Sequence, residues 1–245
     1  MILRSVMKHV RDQNWFAVVL DFLIVVFGVF IGLQVQNWAN EQGRRQLELR
    51  YTERLHDEVV SLQATRSTIL SFREVWVEGV ISAIPVIFRQ EDRDLTPAEC
   101  EAIAYSFIVT NPTDDLASLI ELQGSGQLSL FRNERVSQAL RTYLLMRSRT
   151  RDSAEGLVSQ LVHLSNKYPH MIRIVSPSAR PGTAGVFHCD LEAMRADQAF
   201  LNDYETTQSV YIGHMQNNAR VSEGLAELRE ILGDVLGITH EEDTP

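Results

Sequence analysis

The sequence predicts an all-α protein, in which an N-terminal transmembrane helix is followed by an up-and-down helical bundle with long first and last helices. Two observations favour this fold class. Asp21 is the only charged residue from Trp15 to Leu33. After this run, apolar residues recur at the 3.6-residue period of a helix over most of the chain. Prolines and glycines interrupt that period near residues 171–189, where a small hairpin is expected.

The chain of 245 residues has room for one anchor and one sizeable domain. We divide it into a short basic tail at 1–14, a transmembrane helix at 15–38, an extramembrane helical domain at 39–237 and an acidic flexible tail at 238–245. The net charge is −9, and the acidic residues are concentrated after the anchor. Because an acidic surface repels phosphate backbones, no nucleic-acid partner is expected.

Two tryptophans bracket the apolar run. Trp15 and Trp38 are separated by about 35 Å along a helix, which matches two aromatic belts around a hydrocarbon core of about 30 Å. A cleaved signal peptide is the alternative, but the run contains an acid and no small-residue cleavage site follows it. The lipid bilayer is therefore the first predicted partner, and the helix is predicted to be an uncleaved single-pass signal anchor.

The orientation of this anchor follows from the nearest cations. The numbers of Lys and Arg residues on the two sides are almost equal and do not decide it. Lys8 and Arg11 lie close to the start of the run, whereas Arg44 is the first cation after it. This pattern favours an N-terminus in the cytoplasm and a C-terminal domain outside it.

One face of the predicted anchor combines a carboxylate with small residues. At 100° per residue, five residues fall within about 40° of Asp21. The stripe that they form with it is Ala17, Asp21, Val25, Gly28, Gly32 and Val35. Glycines spaced by four allow two helices to approach closely, and ionisable groups in a bilayer usually face another helix or water. We predict an interface here, in a homo-oligomer or with another membrane protein. Alternatively, Asp21 relays protons beside a multi-span partner.

The extramembrane part contains recognisable helix boundaries. Thr96-Pro97-Ala98-Glu99 forms a capping box, Asn133 is a second N-cap, and Gly237 ends the last helix. A helix of about 40 residues is expected before Pro85, with one polar interruption at Arg66. Its predicted core stripe is Leu47, Tyr51, Leu55, Val59, Leu62, Ile69, Phe72, Trp76, Val80, Ile84 and Ile87.

The two cysteines allow more than one interpretation. Cys100 and Cys189 are a candidate disulfide if the domain lies outside the cytoplasm, and would close a loop of about 90 residues. Two buried, unpaired thiols are the alternative. His188 beside Cys189 also suggests a nucleophile and a base, although neighbours in sequence need not be neighbours in geometry.

The remaining motifs do not predict catalysis. No histidine pair has the spacing of a metal site, and the phosphate-binding glycine loop is absent. Gln123 stands where a G-x-S-x-G motif requires its first glycine. The segment His56-Asp57-Glu58 fits solvated polar residues, because successive residues point to different faces of a helix. No catalytic residue, metal or cofactor is therefore predicted, and the expected protein is not an enzyme.

Three closely spaced arginines form a candidate anion patch. Arg147, Arg149 and Arg151 lie within five residues of one predicted helix and together could hold a phosphate or a carboxylate. The alternative is a solvated face that pairs with nearby acids such as Asp152 and Glu155.

Two segments resemble a known family. Residues 14–38, with an acid and a Gly-xxx-Gly pattern inside the span, and residues 120–143 are similar to an uncharacterised family of bacterial membrane-anchored proteins. Ala39 departs from the asparagine expected there. The resemblance implies a bacterial single-span protein, and it implies no activity. With the orientation given above, the predicted location is the bacterial inner membrane, with the C-terminal domain in the periplasm.

These observations favour a membrane-anchored helical interaction module. It would act by self-association or as a subunit of a membrane complex. A single-span sensor whose outer helical bundle binds a small ligand is the second hypothesis, and a proton-relay subunit that uses Asp21 is the third.

Overall fold

The computed structural model describes residues 15–109, 111–176 and 185–238, apart from the side chains of residues 15–18 and 158. The predicted basic tail, the acidic tail after Ile238 and the side chains of Trp15 and Ala17 lie outside the described residues. Within these ranges the chain forms seven α-helices, one 3₁₀ turn and one two-stranded sheet. The predicted all-α class is therefore confirmed.

The elements follow one another in this order along the chain. The first half contains α1 (Trp15–Ile87), α2 (Pro97–Tyr105), α3 (Ala117–Gly124), a 3₁₀ turn (Gln127–Leu130) and α4 (Glu134–Val158). The second half contains α5 (Leu164–Lys167), β1 (Ile172–Ser176), β2 (Val186–Cys189), α6 (Leu191–Ala196) and α7 (Gln198–Leu236).

The chain divides into two compact units, Met1–Arg50 and Tyr51–Pro245. In the first unit, the apolar run of α1 is long and apolar enough to cross a membrane, by length and composition. It is the one helix among the described residues that meets this criterion, and its most apolar stretch is not buried in the structure.

In the second unit, the stripe of α1 that was predicted to face the core is only partly buried. Leu55, Val59 and Val80 are fully buried, as expected. Phe72 is 72% exposed, so its placement in the core was wrong. At 100° per residue it lies about 80° around the helix from Val80, which moves it off the buried face. Arg66, the interruption in the stripe, is buried instead.

The last helix runs antiparallel to α1. Arg66 of α1 donates a hydrogen bond to the backbone carbonyl of Asn218, at 3.0 Å. Fourteen residues further along α1, the carbonyl of Val80 accepts a hydrogen bond from the Tyr204 hydroxyl, at 3.2 Å. Contacts that advance along α1 therefore retreat along α7, with the register set by these two pairs.

Helix α4 also runs antiparallel to α7. Arg135 of α4 pairs with Asp234 at 3.5 Å, and Ser153 accepts a hydrogen bond from Asn217 at 3.3 Å. Consequently α1 and α4 run in the same direction. This departs from a strict up-and-down order, because the short helices α2 and α3 return the chain between α1 and α4.

The predicted capping signals are present. The Thr96 side chain accepts a hydrogen bond from the backbone N–H of Glu99, and the Glu99 carboxylate accepts one from the Thr96 N–H. Asn133 caps α4 by accepting a hydrogen bond from the Arg135 N–H. Gly237 ends α7 with a φ of 70°, a left-handed conformation that favours glycine.

Helix α3 takes its cap from a different helix. Its N-cap residue Leu116 supplies no side-chain hydrogen bond. Instead the Glu58 carboxylate of α1 accepts hydrogen bonds from the Ser118 N–H at 3.0 Å and from the Ser118 hydroxyl at 2.7 Å. A carboxylate at a helix N-terminus satisfies free N–H groups and complements the helix dipole. The expectation that Glu58 is merely solvated was therefore wrong.

Strands β1 and β2 pair in antiparallel orientation, with Ile172 opposite Cys189. The strand pair expected near residues 171–189 is thus confirmed. Beside it lies a core formed by the end of α1, α2, α5, α6 and the start of α7. Its buried aromatic members are Tyr168, Phe200 and Tyr204.

Candidate functional site

The apolar run of α1 has an exposed face in the described part of the chain. Residues 15–87 are continuously helical, so Asp21, Val25, Gly28, Gly32 and Val35 share one side of α1. Each of these residues is exposed in the structure. The sixth residue of the stripe, Ala17, belongs to the same helix, but its side chain lies outside the described residues.

The two glycines leave room for a close neighbour. A Cβ atom added at Gly28 or at Gly32 would meet nothing within 4 Å. By contrast, a Cβ added at Gly79 would lie 2.6 Å from the Cβ of Ala102, so Gly79 is needed for the packing of α1 against α2. Packing within the chain therefore explains Gly79 and does not explain Gly28 or Gly32.

A trough of about 610 Å³ lies between α1 and α7 in the second unit. Its apolar part is formed by Leu70, Val77 and Ile81 of α1 together with Ile212 and Met215 of α7. Its polar part includes Gln63, Ser67, Ser222 and Glu223. The volume and the mostly apolar lining are typical of a small-molecule site.

Arg66 is the most deeply buried charged group of this unit, with 1% of its surface exposed. Its guanidinium donates hydrogen bonds to the backbone carbonyls of Pro112 and Thr113, and to both the carbonyl and the side-chain oxygen of Asn218. A further hydrogen bond, at 3.3 Å, goes to the Ser222 hydroxyl. Burial lowers the pKa of Arg66, because desolvation disfavours the charged form.

A second group of charges lies beside Arg66. Asp114 is buried, and its carboxylate accepts hydrogen bonds from Arg147 at 3.3 Å and from Arg151. Asp115 also pairs with both of these arginines. Burial raises the pKa of Tyr143, whose hydroxyl donates to the Asp114 carbonyl at 2.7 Å. These contacts attach the segment 111–115 to α4, and Arg66 attaches it to α1 and α7.

The structure does not bring the three predicted anion-binding arginines together. Arg147 and Arg151 are engaged by Asp114 and Asp115, whereas Arg149 lines a different pocket next to Arg220. At 100° per residue, alternate residues of a helix point about 200° apart, so Arg149 faces away from its two neighbours. The acids that pair with Arg147 and Arg151 come from a distant loop, and not from Asp152 or Glu155 as expected.

Cys100 and Cys189 are joined in a disulfide. The bond connects α2 to β2 next to an aromatic row in which Trp76 stacks on Tyr105 and Tyr105 meets Phe187 edge to face. No free cysteine occurs among the described residues. The hypothesis of a Cys189 nucleophile with His188 is therefore wrong, because a disulfide sulfur carries no thiol. His188 and Cys189 also point to opposite faces of β2.

Among residues 15–109, 111–176 and 185–238, no group of three or more His, Cys, Asp or Glu side chains is arranged to hold a metal ion.

The burial of Arg66 had a signal in the sequence, but the positions of its partners did not. Arg66 interrupting an apolar stripe indicated a buried cation, since a charge at a core position needs partners. Its acceptors at 112, 113 and 218 had no such signal, because they are brought close only by the tertiary fold.

Comparison of the chain with protein-family models, curated proteins and solved structures finds no match. The resemblance of residues 14–38 and 120–143 to a bacterial membrane-anchored family therefore stays a prediction. The functional assignment rests on the geometry of the chain itself.

Proposed function

We propose that the protein is a membrane-anchored helical module that acts by self-association through the anchor face of Asp21, Gly28 and Gly32. The open space beside the two glycines is the observation that carries this proposal. Close approach of two helices across small residues increases van der Waals contact, which is the main source of helix association in lipid.

Asp21 adds a polar contact to the same face. A carboxyl group in the bilayer is costly unless it is neutralised and hydrogen-bonded, and a second helix supplies such a partner. Interhelical hydrogen bonds of this kind contribute about 0.6–2 kcal/mol in membranes. The Asp21 side chain is therefore proposed as a polar association contact on the same helix face as Gly28 and Gly32.

Substitution of the glycines tests the interface. The double variant Gly28→Leu/Gly32→Leu fills the face and should lower association of the full chain in a membrane two-hybrid assay by at least fivefold. The matched control Val26→Leu/Phe30→Leu has the same spacing on the other side of the helix and should leave association unchanged. Equal association in both variants would exclude this face as the interface.

Asp21→Asn separates the two roles considered for this residue. Asparagine keeps hydrogen-bonding capacity and cannot carry a proton, so we expect association to persist. Loss of cellular function with intact association would instead favour the proton-relay hypothesis, or a different partner in a membrane complex.

The proposed location of the domain is outside the cytoplasm, with the N-terminus inside. The disulfide between Cys100 and Cys189 supports this orientation, because disulfides persist in oxidising compartments such as the bacterial periplasm. Reporter fusions at the C-terminus test it. An alkaline phosphatase fusion should be active and a green fluorescent protein fusion dark, and the reverse result would place the domain in the cytoplasm.

A sensor is the second candidate function, and the trough between α1 and α7 favours it. One wall of the trough belongs to the same helix that contains the anchor face. A ligand there would act on association only if it bound the associated and separate forms with different affinity. A change in two-hybrid signal on addition of ligand tests this coupling.

A further inference from the structure

The trough between α1 and α7 has a polar end and an apolar end. The contacts of Arg66 with Asn218 and of Val80 with Tyr204 set the register of the two antiparallel helices. In this register, Glu223 lies level with the start of the trough near Gln63. The α1 wall extends from Gln63 to Ile81, about 27 Å at 1.5 Å per residue.

Polarity changes along this length. The first part is lined by Gln63, Ser67, Ser222 and Glu223, together with the small Ala219. The second part is lined by Leu70, Val77, Ile81, Ile212 and Met215, with Ser71, Glu74 and Gln216 as its polar members. A ligand that matches both parts has a polar head at one end and an apolar body at the other.

The charge at the polar end selects the head group. Glu223 is an exposed carboxylate at this end, and Glu74 adds a second one further along the trough. Among the described residues, no Lys, Arg or His side chain lines the trough. The buried Oε1 atom of Gln63 accepts no hydrogen bond within the described part of the chain. A donor at this end would satisfy that oxygen after rotation of the amide. Acceptors and negative charge together favour a cationic donor, such as a protonated amine.

We propose that this trough binds an amphiphilic amine, with its ammonium group between Gln63 and Glu223 and its apolar body along Leu70 and Ile212. The site deepens the sensor candidate by naming its ligand class, and it is independent of the anchor interface. A second copy of the chain fits less well. An isologous contact brings the same surface of both copies together, so the carboxylates Glu74 and Glu223 of one copy would meet those of the other.

Binding of octylamine to the full chain in lipid nanodiscs tests the head group. Titration calorimetry should give a dissociation constant for octylamine about tenfold lower than for octanoate, which has a chain of similar length and the opposite charge. Empty nanodiscs titrated in parallel correct for partitioning into lipid. Equal affinity for the amine and the carboxylate would overturn the proposal.

Two variants with matched controls place the binding in the trough. Glu223→Gln should weaken octylamine binding threefold or more, whereas Glu227→Gln, one turn further on the exposed side of α7, should not. Ala219→Phe fills the trough and should weaken binding at least tenfold, whereas Ala226→Phe, also exposed on α7, should not. Unchanged octylamine binding in Ala219→Phe would refute the site.

The same variants separate this inference from the proposed functions. If Ala219→Phe lowers self-association and leaves octylamine binding intact, the trough is a contact between copies and the proposal is wrong. If octylamine binds as expected and association does not change, the ligand site stands and the sensor function fails. If substitutions at Gly28 and Gly32 lower association and Ala219→Phe does not, the anchor interface is supported independently of ligand binding in the trough.

Discussion

The guanidinium of Arg66 holds Asn218 through two hydrogen bonds, one to the backbone carbonyl at 3.0 Å and one to the side-chain oxygen at 3.2 Å. The two residues are 152 positions apart in sequence and belong to the first and last helices. The same guanidinium also holds the carbonyls of Pro112 and Thr113. One buried side chain therefore connects three distant parts of the domain.

Removing this side chain should destabilise the domain. In Arg66→Met the apolar stem is kept, but the carbonyls of Pro112 and Thr113 lose their donor in a buried place. We expect the free energy of unfolding to fall by about 2–4 kcal/mol. The control Arg54→Met removes an exposed ion pair with Glu121 and should cost less than about 1 kcal/mol. Equal losses in the two variants, measured by urea denaturation, would contradict the assigned role.

The pH dependence of stability should report on Glu99. Hydrogen bonds from Arg93, at 2.7 and 2.8 Å, lower the pKa of this carboxyl from 4.5 to about 2. Because the folded-state pKa lies below the unfolded one, the stabilisation is complete above about pH 4.5 and is lost as the pH falls toward 2. We expect the ionised Glu99 carboxylate to contribute about 1–2 kcal/mol to the free energy of unfolding, since Arg93 is partly exposed to solvent.

Glu99→Gln should lower stability at pH 7 and should flatten the stability curve between pH 4.5 and 2. Asp92→Asn, which changes an exposed acid in the loop before α2, should leave the curve as it is in the wild type. Thermal unfolding at a series of pH values measures both variants. A wild-type slope that survives in Glu99→Gln would assign the acid sensitivity to other carboxyl groups.

Reduction of the disulfide between Cys100 and Cys189 should destabilise the domain. The bond closes a loop with a sequence separation of 89 residues, and such bonds contribute about 2–4 kcal/mol. The double variant Cys100→Ala/Cys189→Ala should lose that amount and become insensitive to dithiothreitol. If dithiothreitol shifts the wild type and the double variant equally in urea denaturation, the reductant acts elsewhere.

Two mid-helix glycines should respond oppositely to alanine. Gly79→Ala places a Cβ 2.6 Å from the Cβ of Ala102 and should cost about 1–3 kcal/mol through overpacking. Gly213→Ala meets nothing within 4 Å and should stabilise α7 by up to about 1 kcal/mol. Melting temperatures of the two variants give the sign directly. If Gly79→Ala were as stable as the wild type, α1 and α2 would be less closely packed than the structure shows.

Local signals in the sequence predicted three of the helix ends, whereas Pro85, expected to end or kink α1, lies inside that helix. Thr96 with Glu99, Asn133 and Gly237 act through neighbours within a few residues, so their roles are encoded locally. The cap of α3 was not predictable in this way. Glu58 reaches Ser118 across 60 residues, and only the packing of α1 against α3 makes that contact.

The candidate sites divide along the same line. The stripe through Asp21, Gly28 and Gly32 requires only a continuous helix, which the structure has, and its role as an interface stays a prediction. The trough was missed, because Leu70 and Ile212 become neighbours only through the register of α1 and α7. The prediction that Arg147, Arg149 and Arg151 together form an anion site was wrong, because the acid that binds Arg147 lies in a distant loop.

Cysteine crosslinking within the anchor tests the proposed self-association most directly. Single cysteines are placed from residue 23 to residue 35 of the full chain in membranes, where Cys100 and Cys189 are already bonded to each other. We predict that disulfide-linked dimers are most abundant for cysteines at 25, 28, 32 and 35, and least abundant for cysteines at 23, 26, 30 and 34. Equal yields at all positions, or a maximum on the opposite face, would contradict self-association through the face of Asp21, Gly28 and Gly32.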